Sequence, residues 1–148
     1  MVIRSTWIAI LVGGLVAAFI DIGAASLINS VNPMIILRAI AGGLLGPSSQ
    51  QLGMPAAVLG FALQEAMGVI IAAIFVLASL RLTWMRRSWV AAGVAYGVVI
   101  FFVMNYVVVP LSAYHRFPSM RLKLLADLIA MLLFGLIISA AATKIVER

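Results

Sequence analysis

Apolar residues run along this chain in four long blocks, 7–28, 56–80, 89–109 and 122–143, separated by short polar or basic stretches. Each block holds about 20 residues or more, enough for a helix rising 1.5 Å per residue to cross about 30 Å of hydrocarbon. None alternates polar and apolar positions as a barrel strand does. The pattern therefore predicts four transmembrane helices, the third stopped by Pro110. A shorter apolar stretch, 33–45, lies between the first two spans. Asn32 is placed to cap it, Pro33 fits its first turn, and Gly46-Pro47 ends it. At about 13 residues it is too short to cross, and predicts an interfacial or re-entrant helix with Arg38 as its one charge. A polar loop, 46–53, follows. The expected fold is an all-α integral membrane four-helix bundle with this short helix between spans one and two, one transmembrane domain over 1–148.

Each span carries a strongly polar residue: Asp21, Glu65, Asn105 and Asp127. Counted from the outer span ends, they lie about 10, 14, 6 and 8 Å deep. Ionisable groups at such depth are costly and mark function or pairing. Their helix faces point the same way, because residues four apart share a face. Gly14, Ala17 and Ala18 precede Asp21. Gly60, Gln64, Gly68 and Ala72 form one row of span two; Gly93, Gly97 and Asn105 one row of span three, with Phe101 between. Asp127, Gly135, Ser139 and Thr143 form one row of span four, with Met131 between. Small residues mark the faces on which membrane helices approach, so the polar groups point inward. Glu65 stands about 100° beyond Gln64, either interior or at a helix seam.

Composition agrees with the pattern. The chain is 66% hydrophobic and only 9% charged, with a mean hydropathy of +1.25, against about 45–50% apolar in soluble domains. The net charge of +6 resides between apolar runs and along no basic face, which excludes nucleic acid as a partner and leaves the lipid bilayer. Arg4, Arg81, Arg86, Arg87, Lys144 and Arg148 fall on one side, and Arg38, Arg116, Arg121 and Lys123 on the other. That excess predicts both termini in the cytoplasm. Trp7, Trp84 and Trp89 then belt one interface, and Tyr106 and Tyr114 the other.

The chain has no cysteine, and no phosphate loop, zinc signature or nucleophile elbow appears. No cofactor or metal is expected. His115, the one histidine, lies in a Tyr-His-Arg-Phe-Pro loop and reads as an interfacial residue. Phe19-Ile-Asp21-Ile-Gly-Ala, the run from Leu37-Arg38 to Gly46, and Met104-Asn105-Tyr-Val-Val-Val-Pro110 resemble small uncharacterised bacterial inner-membrane proteins of the YagU-like type. The resemblance spans most of the chain. It implies a bacterial inner-membrane location and no assigned activity; where that pattern carries histidines in spans two and four, this chain has Gln64 and none.

Three functions fit. The first is a non-enzymatic pocket in the outer half of the membrane that binds a cation, a proton or a small polar ligand. Its residues would be Asp21, Glu65, Asn105, Asp127 and Gln64, with Arg38 as counter-charge or gate. The second is an accessory subunit that associates through its small-residue faces with itself or with a membrane partner. The third is a lipid-modifying enzyme with Asp21 or Glu65 as base, for which no nucleophile is evident.

Overall fold

The computed structural model describes residues 2–113 and 121–146. All of the regular structure among them is helical. Helix α1 spans Val2–Asn29, α2 Pro33–Leu45, α3 Met54–Arg81, α4 Thr83–Arg87, α5 Trp89–Val103, α6 Val109–Leu111 and α7 Arg121–Val146. Among the described residues four stretches are long and apolar enough to cross a bilayer: Ile3–Asn29, Met54–Arg81, Trp89–Leu111 and Leu122–Val146. The chain is thus a multi-pass integral membrane protein, and its surface is in contact with lipid. Tyr114, His115, Arg116 and Arg148 lie outside the described residues, as does the side chain of Arg121.

The long helices alternate in direction. α1 packs along α3 and α7, and α7 packs along α5, so the spans follow one another around the bundle as α3, α1, α7, α5. What brings α1 inward is its smallest residues: Ala9, Gly13, Gly14, Ala17 and Ala18 are buried, while Leu11, Val12, Leu15, Val16, Phe19 and Ile20 are exposed. That is the reverse of a soluble helix, and it has a simple cause. Lipid solvates bulky side chains as well as another helix does, so association depends on close backbone approach.

Glycines make that approach possible. A Cβ on Gly14 would stand 2.7 Å from the Gly68 carbonyl oxygen and the Val69 Cα, and one on Gly97 would stand 2.8 Å from the Leu132 Cα. Gly135 fits into the backbone of Gly93 and Gly97, and Gly60 lies directly under the Leu37 carbonyl of α2. The predicted rows are therefore the helix contacts of the chain itself. The gap between α3 and α5 is bridged instead by large groups: the Phe75 and Tyr96 rings are 5.0 Å apart, and the Tyr96 hydroxyl donates to the Ile71 carbonyl at 2.8 Å.

The ends of α2 form as their residues dictate. The Asn32 side chain accepts from the Met34 N–H at 2.9 Å, and Pro33 occupies the first turn. Gly46 adopts φ +76°, a left-handed backbone suited to glycine, while its N–H closes the last turn on Gly42. The stretch expected as a loop contains one 3-10 helix, Pro47–Gln51. α1 ends on the same logic without a glycine. Ser30 holds φ +53°, its N–H donates to Leu27, and the Val31 N–H reaches back to Ser26.

The third span departs from expectation at Pro110. The helix continues past it to Leu111, but residues Met104–Val108 widen into a π turn. Proline has no N–H and its ring crowds the carbonyl four residues before it. A wide turn in which the Val109 N–H bonds to the Met104 carbonyl accommodates both. Trp7 and Trp84 are exposed at one end of the bundle, where half-buried Trp89 begins α5. Tyr106 is exposed toward the other end, where α2 lies.

Candidate functional site

The polar residues meet toward the α2 end of the bundle, and they do so in the order of the helices. On α3, Gln64 Nε2 donates to Asp21 Oδ2 of α1 at 2.8 Å. Asp21 is within electrostatic reach of Asp127 on α7. Asp127 Oδ2 in turn accepts from Asn105 Nδ2, in the π turn of the third span, at 2.7 Å. Each span thus contributes one side chain to two acid–carboxamide pairs, Asp21–Gln64 and Asp127–Asn105, whose carboxylates lie within electrostatic reach of each other. Asn105 Nδ2 also lies 3.1 Å from the Phe101 carbonyl one turn earlier, which holds the amide in place beside the widened turn.

The local reasons are visible in each helix. Asp21 follows the Gly13/Gly14 and Ala17/Ala18 stripe that packs α1 inward. Gln64 stands one turn from both Gly60 and Gly68, the close-contact glycines of α3. Asn105 lies one turn beyond buried Phe101, and Asp127 one turn before buried Met131. All four side chains are partly buried.

Glu65 stays outside both pairs. It stands one helical turn from Val69, whose Cα faces Gly14, and so occupies the edge of the α1–α3 seam. Its Oε1 is buried and has no hydrogen-bond partner. Arg38 forms no ion pair with these acids; its Nε is likewise buried and unpartnered. No group of three His, Cys, Asp or Glu side chains able to hold a metal occurs among the described residues. Nearer the membrane end, Lys123 Nζ lies 3.4 Å from Asn29 Oδ1.

Beside the polar cluster is a cavity of about 790 Å³, walled by α2, α3 and the far end of the third span. Gln64 belongs to both: it binds Asp21 and lines this cavity, as does Met104, the neighbour of Asn105. Among the described residues no charged side chain lines it. Sequence reasoning did not anticipate it, because its walls are ordinary apolar residues brought together only by the way α2 folds back on α3. Arg38 is not one of them. At 100° per residue it stands on the side of α2 opposite Ile36, Ile40 and Gly43, which do line it.

Compared with protein-family models, curated proteins and solved structures, the chain matches none.

Proposed function

We propose that the Gln64–Asp21–Asp127–Asn105 cluster is a site for a proton or a small monovalent cation within a four-span membrane protein. The observation that carries the reading is the two carboxylates on adjacent helices, each fixed by a carboxamide and, among the described residues, neither paired with a basic side chain. In a low-dielectric layer two such groups need positive charge close by. Carboxamides donate to the acids without neutralising them, so the charge must come from a proton or an ion. A proton needs only one carboxylate oxygen, whereas Ca²⁺ takes about six to eight oxygen ligands. Glu65 and Arg38 are then accessory to the site.

The Lys/Arg count and the resemblance to YagU-like proteins favour a bacterial inner membrane with both termini cytoplasmic, which places the site in the outer half. The small-residue faces are occupied inside the chain, so an oligomer or partner would have to use another surface.

The test uses the full chain in detergent, melted across pH and in lithium, sodium, potassium and choline chloride. A bound ligand at 100 times its Kd adds about 2.7 kcal/mol. Wild type is expected to respond to protons or to one of the small cations. The isosteric double variant Asp21→Asn/Asp127→Asn should keep its helicity and lose that response. An undiminished response in the double variant, or none in wild type, refutes the assignment.

A further inference from the structure

The cavity beside the polar cluster offers a second, chemically different site. Its walls are apolar: Ile40 on α2, Leu63 and Met67 on α3, Met104 and Val108 on the third span. At about 790 Å³ it falls within the range of about 300–1,000 Å³ usual for ligand sites. Among the described residues no ionisable side chain lines it, so a charged head group entering it would lose water and gain no counter-charge from these walls.

Gln50, Gln64 and Ser112 interrupt the apolar lining, and each glutamine is anchored by its nitrogen. Gln64 Nε2 is held by Asp21 at 2.8 Å, and Gln50 Nε2 by the Ile35 carbonyl at 3.2 Å. Each carboxamide is thereby left with its carbonyl oxygen, which accepts no hydrogen bond. A ligand that donates a hydrogen bond would match these acceptors. A hydroxyl supplies one without carrying charge, and a single hydrocarbon chain satisfies the remaining surface. The bilayer around the chain is the source of such molecules.

We infer that this cavity binds an uncharged, hydroxyl-bearing, single-chain lipid, with the hydroxyl donating to the Gln64 carbonyl oxygen and the chain lying between α2, α3 and the third span. The site does not depend on the cation reading, although Gln64 joins the two.

The substitution that isolates the cavity is Gly43→Leu. Among the described residues a Cβ at Gly43 would meet only the Ser112 Cβ, at 3.9 Å, so the new side chain enters the cavity without displacing their backbone. The full chain would be titrated with monoolein in detergent and bound lipid counted by native mass spectrometry, with oleate, oleylamine and dioleoylphosphatidylcholine as comparison probes. One monoolein should be retained, and the comparison lipids should bind at least about tenfold more weakly, the scale on which mismatched groups are discriminated in such pockets. Gly43→Leu should lose monoolein by a similar factor while melting like wild type. Asp21→Asn, which alters the cation site and spares the cavity walls, should still bind it. Equal or tighter binding of any comparison lipid overturns the inference, and so does undiminished monoolein binding by Gly43→Leu. Should that variant fail to fold, Ile40→Trp fills the same wall and decides the matter by the same readout.

Discussion

Substituting Gly135 with alanine adds one methyl group at the tightest point between α5 and α7. The new Cβ would overlap the Gly93 carbonyl, stand 2.7 Å from the Gly97 nitrogen and 3.0 Å from the Gly97 Cα. An ordinary contact begins at 3.4 Å, so the Gly97 nitrogen alone must retreat by about 0.7 Å. These atoms belong to a helix backbone and cannot swing aside as a side chain can. The whole face of α5 has to move, loosening Phe101 and Phe134, both buried near this seam. Overpacking of this kind costs about 1–3 kcal/mol, more than the roughly 1 kcal/mol that alanine gains over glycine in a helix. Gly23 is the matched control, since a Cβ there meets nothing within 4 Å. Unfolding in mixed detergent–dodecyl sulfate micelles, followed by circular dichroism, should show Gly135→Ala destabilised and Gly23→Ala unchanged or stabilised by up to about 1 kcal/mol. Equal behaviour of the two variants would refute the close packing of α5 against α7.

Other expectations follow from single contacts. A double-mutant cycle with Asn105→Ala and Asp127→Ala should return a coupling of about 0.6–1.7 kcal/mol, the range for interhelical hydrogen bonds in membranes, whereas Glu65→Ala with Asp127→Ala should be additive. Ser30→Gly removes a left-handed serine, whose strain is about 1–2 kcal/mol, at an entropic cost of roughly 0.5–1 kcal/mol. A small rise in melting temperature should follow, and a fall would show that the α1 turn is held some other way. The ion-dependent melting of Asp21→Asn/Asp127→Asn and the monoolein count for Gly43→Leu complete the set.

Much of this protein is legible in one dimension. Span length follows from hydropathy, because the bilayer sets the number of apolar residues a helix needs. The faces that pack follow from small residues at helical spacing, and Gly14, Gly60, Gly68, Gly93, Gly97 and Gly135 all lie in backbone contacts. The short helix was readable because Asn32, Pro33 and Gly46 act locally, through caps that involve only their own neighbours. Asp21, Asn105 and Asp127 could be chosen because polar groups in long apolar runs are few.

Which of them touch was a tertiary decision. Gln64 and Glu65 are adjacent in the chain and about 100° apart on the helix, and only the register of α3 against α1 selects Gln64 as the partner of Asp21. Periodicity gives the face of one helix and is silent on its axial offset from another. The π turn at Asn105 arises from Pro110 meeting a span that stays helical beyond it, a compromise no residue signals alone. The cavity needs three elements at once, and its lining residues look like any other membrane-facing side chains until α2 is laid across α3.

The chemistry proposed for this chain depends on two aspartates from neighbouring helices that, among the described residues, have no basic partner. A density map with a lysine or arginine head group seated between Asp21 and Asp127 would remove that basis. The bundle would remain; its proposed occupant would not.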